Sequence, residues 1–273
     1  MGRRARGSRP TPLSSQLPSL PALTSLTRLE ASYNQIRSLA PLTALSGGLL
    51  ADVGCASNKV ATVEALGGLS ALTSLELGSN RVASLDGLAA LPTPTLVDLW
   101  LGRNRVTGLA GLGAPGLAAL VRVSLQSNRL ASMADLPPLP ALRELYLSHN
   151  GIEEVAGLER VPGLRVLDLG ANRVARVAGL AAAGPLTDLW LNDNPVDSLE
   201  DVLNALKGSA AVGTLTCVYL AATPAATSAG KGPPGALATP YVDALTAALP
   251  ALTCVDGDDL PPRGRRVGTG KEG

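Results

Sequence analysis

Eight asparagines recur along the chain at Asn34, Asn58, Asn80, Asn104, Asn128, Asn150, Asn172 and Asn194, spaced 22 or 24 residues apart. Each closes a phrase of the form L-x-x-L-x-L-x-x-N, and each is followed two positions on by Ile, Val or Leu. Self-similarity at a fixed period of this length specifies a stack of short units, each of which cannot bury its apolar face alone. A compact enzyme with a closed pocket is hard to build that way; a long interaction surface is easy.

Within each phrase the Leu positions alternate with variable ones, the period-two mark of a strand buried on one face. The strand segments are Leu26–Ala31, Leu50–Cys55, Leu72–Leu77, Leu96–Leu101, Leu120–Leu125, Leu142–Leu147, Leu164–Leu169 and Leu186–Leu191. A ninth, degenerate strand is Leu215–Leu220, with Thr223 where the Asn should stand. After each Asn the apolar residues recur three apart, as in Val82, Leu85 and Leu88, which suits a 3₁₀ turn or short helix returning along the outer side. Stacked in parallel at about 4.8 Å, nine strands make a concave sheet of roughly 40 Å. The Asn amide then bonds backbone groups of its own turn and of the adjacent repeat, groups that stacking hides from water. Period, phrase and Asn ladder predict an α/β leucine-rich-repeat solenoid: a horseshoe with a parallel concave sheet, 22-residue repeats and short 3₁₀ or helical convex segments.

The array is expected over residues 21–224. Residues 1–20 read as a disordered basic stub and 225–240 as a low-complexity loop rich in Ala, Gly and Pro. Residues 241–260 read as a C-terminal cap, with Val242, Leu245 and Leu249 at helical spacing, and 261–273 as a disordered basic tail. Before Leu26 either Leu13–Leu23 forms an irregular cap or the array starts incomplete. With 46% hydrophobic and 16% charged residues the chain is too apolar to be disordered as a whole. Its net charge of +1 gives no global argument for nucleic acid or membrane. No apolar stretch follows the Arg-rich start, so no secretory signal is expected, and Gly208–Gly230 is too weakly apolar to span a bilayer. Cys55, Cys217 and Cys254 read as buried reduced thiols of a cytosolic or nuclear protein.

The informative column is the variable residue between the last two core positions of each strand, which alternation turns onto the concave face. It reads Glu30, Gly54, Glu76, Trp100, Ser124, Tyr146, Asp168, Trp190 and Tyr219, and so holds four of the six aromatics in the chain. Exposed Trp and Tyr in one line belong to protein interfaces. The column two residues earlier reads Arg28, Asp52, Ser74, Asp98, Arg122, Glu144, Val166, Asp188 and Cys217. Together the columns hold seven acids and two bases, which suits a partner with basic patches and opposes a phosphate backbone. Lys59, Arg81, Arg105, Arg129 and Arg173 each follow a ladder Asn along one edge; they read as solvated turn residues or as a second, basic contact edge. For catalysis, cofactor or metal there is no phosphate loop, no Cys/His metal spacing and no nucleophile elbow. The single His149 sits in a turn and reads as structural or solvated.

Four phrases carry a resemblance: Leu72–Arg81 (LTSLELGSNR), Ser124–Leu130 (SLQSNRL), Leu142–Ile152 (LRELYLSHNGI) and Trp190–Asn194 (WLNDN). With Val218-Tyr219-Leu220, Tyr241, Leu249-Pro250-Ala251-Leu252 and Asp256, the stretch from about 23 to 257 resembles the regulatory-subunit-7 family of leucine-rich-repeat regulators of protein phosphatase 1. The resemblance implies a non-catalytic regulatory subunit of nucleus and cytoplasm. It would bind the phosphatase catalytic subunit, and admit a further phosphatase inhibitor protein as partner, with no direct nucleic acid and no membrane. Aligned by motif, it places the family's acidic contacts at Glu30, Glu76, Asp168 and Asp188 and its aromatic contacts at Trp100, Trp190 and Tyr219; Tyr146 joins them from the column itself. Gly54 stands where the family has an aromatic, and the chain shows fewer N-terminal repeats. The alternative from the residues is another leucine-rich-repeat adaptor, of cytoskeletal, axonemal or spliceosomal kind.

Overall fold

A computed structural model describes residues 17, 23–45, 47–92, 95–230 and 239–261. Each phrase forms a three-residue strand: β1 Arg28–Glu30, β2 Asp52–Gly54, β3 Ser74–Glu76, β4 Asp98–Trp100, β5 Arg122–Ser124, β6 Glu144–Tyr146, β7 Val166–Asp168, β8 Asp188–Trp190 and β9 Cys217–Tyr219. They pair in chain order, all parallel, as one open sheet. The central residue of each strand points inward: Leu75, Leu99, Val123, Leu145, Leu167, Leu189 and Val218 have no exposed surface. The residues on either side face out, so phrase position alone decides which side chains the core takes.

Behind the sheet the chain returns through short 3₁₀ segments such as Asp86–Ala90, Ala110–Gly113, Leu158–Arg160 and Ala178–Ala182. A 3₁₀ turn takes three residues, so Val82, Leu85 and Leu88 fall on one side, and all three are buried. The last full repeat returns as an α-helix, α1 (Leu199–Lys207), capped by Ser198 accepting from the Asp201 N–H and burying Leu199, Val202, Leu203 and Leu206.

The Asn ladder joins these two layers. Asn104 Oδ1 accepts the Val82 N–H at 2.9 Å, and its amide donates to Leu77 O of the preceding repeat and Leu101 O of its own. The same pattern repeats at Asn58, Asn80, Asn128, Asn150, Asn172 and Asn194. The residue before each ladder Asn, from Tyr33 to Asp193, holds a left-handed backbone with φ of 53–59°. A non-glycine residue adopts that conformation only when its surroundings impose it. Ala222 does the same, and Thr223 takes the Asn's place, its hydroxyl donating to Leu220 O at 2.7 Å.

The C-terminal end departs from expectation in two respects. The stretch read as a loop from 225 begins in a helix, α2 (Pro224–Ser228), because Thr223 also accepts the Ala226 N–H and Pro224 suits a first helical turn; residues 231–238 lie outside the described residues. Cys217 and Cys254 are not reduced thiols but a disulfide, with Cα atoms 4.6 Å apart. They are register partners on β9 and on β10 (Cys254–Val255), the strand that continues the sheet. The pairing removes the reduced-thiol argument for a cytosolic or nuclear setting. Cys55 alone stays free and buried, its thiol pushed up to about 12 by burial and by the nearby Glu30 charge.

Helix α3 (Pro240–Ala248) buries Tyr241, Val242 and Leu245 over the end of the core. Beyond it β10 turns through Asp256-Gly257 into β11 (Asp258–Asp259), antiparallel to it. The Asp256 carboxylate accepts the Leu220 and Ala221 N–H groups, each at 2.7 Å, and Tyr241 Oη donates to it at 3.2 Å. One carboxylate thus takes up amides that would otherwise look for another repeat. At the other end Leu17 is buried against the core. The rest of the expected stub, and the tail from 262, lie outside the described residues.

Candidate protein-binding face

Strict parallel register places the chosen column in one row. Glu30, Gly54, Glu76, Trp100, Ser124, Tyr146, Asp168, Trp190 and Tyr219 are successive partners from β1 to β9. None of its four aromatics is in the core; each is half-buried. The other two aromatics lie elsewhere: Tyr33 is 77% exposed at the N-terminal end, and Tyr241 is in the cap.

The rings form two platforms. Trp190 and Tyr219, on adjacent strands, stack with centroids 5.2 Å apart and planes at 13°. Trp100 and Tyr146 are two strands apart, yet their centroids are 6.4 Å apart. Two strand spacings are about 9.6 Å, so the rings lean together over the intervening Ser124, which is only 3% exposed. A larger side chain at 124 would hold them apart. Asp168 stands in register between the platforms, its Oδ1 accepting the Gly170 N–H at 2.9 Å.

Carboxylates frame the rings. Tyr146 Oη donates to Glu144 Oε2 at 2.9 Å; burial, that bond and the surrounding carboxylates push its phenol up to about 12. Asp188 accepts from Thr187 Oγ1 at 2.7 Å, two residues before Trp190 on the same strand. Partial burial raises the Glu76 carboxyl; the Gly78 N–H it accepts works against that, and the Glu30 charge adds to it. The Glu30 carboxylate lies over Gly54, in the space a side chain there would fill. One acid is neutralised internally: Asp98 takes Arg122 in a two-point pair, Nε to Oδ1 at 2.7 Å and Nη2 to Oδ2 at 2.8 Å.

Of the predicted residues, Glu76, Trp100, Tyr146, Asp168, Asp188, Trp190 and Tyr219 share one continuous stretch of the face. Glu30 lies beyond Gly54 at the exposed first strand. Residues not singled out from sequence add to the surface: Arg103 and Gln126 join Glu76, Trp100 and Ser124 around an open depression of about 250 Å³. A larger groove of about 470 Å³ lies on the opposite, helical side, between Ala178 and Asn204, far from the aromatic row. Among the described residues no three His, Cys, Asp or Glu gather as a metal site, and no helix is long and apolar enough to cross a membrane.

Comparison with known proteins agrees on the architecture. A sequence family described as leucine-rich repeats (two copies) matches residues 140–182. No curated protein matches the chain by sequence. Among solved structures, an internalin of Listeria monocytogenes superposes with a TM-score of 0.70 at 22% identity, covering 87% of this chain and 62% of that one. The leucine-rich-repeat domain of APL1B gives 0.64 at 20% identity, covering 88% and 64%. A leucine-rich-repeat protein of Leptospira interrogans gives 0.61 at 21%, covering 86% and 62%. The chain therefore spans less than two thirds of each of these neighbours. Phrase, ladder, matched segment and superposition together make this chain a leucine-rich-repeat solenoid.

Proposed function

We propose that the chain is a non-catalytic binding subunit that holds a cationic protein partner along its concave face. The observation that carries this is the aromatic row: two stacked platforms on an open sheet, bracketed by carboxylates. Such rings supply apolar contact at low entropic expense, and the surrounding charge selects basic partners. The sequence resemblance supports a finer reading, in which the partner is the catalytic subunit of protein phosphatase 1, in nucleus and cytoplasm. A phosphatase inhibitor protein would then join the same assembly.

Calorimetric titration of the phosphatase catalytic subunit tests both levels. Binding by the unmodified chain, weakened in Trp190→Ala by at least about 2 kcal/mol with an unchanged circular dichroism spectrum, is expected of a buried anchor. Unchanged affinity in the variant removes Trp190 from the interface. No binding by the unmodified chain ends the phosphatase assignment, and affinity purification with the Trp190/Asp188 double variant as control would then identify the actual basic partner.

A further inference from the structure

The turn edge of the sheet carries a second surface, separate from the aromatic row. Lys59, Arg81, Arg105 and Arg129 each follow a ladder Asn in four consecutive repeats. Their backbones are held in step: the four N–H groups donate to Ile36, Val60, Val82 and Val106 O at 2.8–2.9 Å, each in the preceding repeat. Four cations therefore stand in file about 5 Å apart. The turn segments 55–62, 77–84, 101–108 and 125–132 contain no acidic residue at all. Beside the cations lie Ala61, Ala83, Thr107 and Ala131 on one side and the half-buried Ser57, Ser79 and Ser127 on the other, with the exposed Arg103 adding a further cation at the matching place in the third turn.

Three cations outside the file are paired with acids. The described ion pairs join Arg122 to Asp98, Arg160 to Glu159 and Arg176 to Glu154. None involves the file, where Arg81, Arg105 and Arg129 are exposed and Lys59 Nζ reaches only Gln35 Oε1, at 3.1 Å. The file also stops abruptly, because the next turn has Gly151 in place of the cation and then Glu153 and Glu154. Like charges stacked without counter-charge repel one another, and a bound polyanion relieves that repulsion.

The geometry points to this edge as a docking strip for an acidic, extended polypeptide segment. Three steps span roughly 15 Å, the length of four or five extended residues. Guanidinium groups recognise carboxylates through paired hydrogen bonds, and the flanking serines add donors. A nucleic acid fits less well. The four turn segments offer no aromatic for base stacking, and a duplex broad enough to reach past the edge would meet Asp52 and Glu76 on the same repeats.

Fluorescence anisotropy with a labelled oligoglutamate of about ten residues tests this on the full chain, with a DNA duplex of equal charge run in parallel. The triple variant Arg81→Gln/Arg105→Gln/Arg129→Gln should weaken peptide binding at least about tenfold and flatten its salt dependence. A control that removes the same charge elsewhere, Arg143→Gln/Arg165→Gln/Lys207→Gln, should leave it within about twofold. Circular dichroism of both variants guards against misfolding. Equal weakening in the two variants, no peptide binding by the unmodified chain, or tighter binding of the duplex than of the peptide would each overturn the assignment.

Discussion

Replacing Asn104 by Ala should destabilise the array, and the hydrogen bonds say by how much. The fully buried Val82 N–H, accepted by Asn104 Oδ1 at 2.9 Å, loses its partner. The carbonyls fare better. Leu77 O also accepts from Asn80, and Leu101 O also accepts from Asn128, so each keeps one donor. One orphaned buried amide costs about 1–3 kcal/mol, and two weakened carbonyls bring the total to about 2–4 kcal/mol. Asn34 provides the contrast within the same molecule. Its amide donates to Ala31 O and Ser32 O of its own turn, and Ala31 O keeps the Asn58 amide. Asn34→Ala should therefore cost under about 1 kcal/mol. Urea denaturation followed by circular dichroism gives the totals, and hydrogen exchange at the Val82 amide locates the loss. Equal destabilisation by the two variants, or unchanged protection at Val82, would refute the claim that the ladder works by satisfying the neighbouring repeat.

Two further outcomes are expected. Asp256→Ala leaves the Leu220 and Ala221 amides without their shared acceptor and should lower stability by about 2–4 kcal/mol. Hydrogen exchange in α3 and β9 should then accelerate well before exchange in β4, whereas uniform loss across the array would show that Asp256 does not close the ladder. Stability should also fall in alkali: Tyr146 and Tyr241 are both raised by burial first, and then by neighbouring carboxylates, Tyr146 from 10.0 to about 12. A raised folded value means that the native state keeps a proton the unfolded chain gives up. The contribution is complete below about pH 10 and is lost as pH rises through about 12. Tyr146→Phe and Tyr241→Phe should each flatten that loss in thermal melts recorded between those limits; identical pH profiles in the variants would contradict it.

What the sequence disclosed and what it withheld divide along one physical line. Strand alternation and the repeat period are local rules, and local rules place Trp100, Tyr146, Trp190 and Tyr219 in one row before any coordinates are known. Contacts across repeats are different, because they depend on sizes and registers that no single phrase contains. That Trp100 reaches Tyr146 and not its immediate neighbour depends on Ser124 being small enough to lie beneath both rings. That Glu30 settles over Gly54 depends on the missing side chain one strand away. Cys217 and Cys254 are 37 residues apart and become partners only because β10 continues the sheet after two helices. Two missed elements did carry local signals: Thr223-Pro224, a cap followed by a first-turn proline, announced α2, and Asp256-Gly257 announced the β10–β11 hairpin, whose turn residues have φ of 53° and 92°. In a solenoid, then, the face a residue occupies follows from its own repeat, whereas what it touches there is decided by the repeats on either side. A function inferred from the row alone is accordingly tested best by substitutions that alter a neighbour, such as Ser124→Leu. This variant should part the Trp100–Tyr146 platform while leaving Trp190–Tyr219 stacked, so any partner anchored by both platforms should lose only part of its affinity.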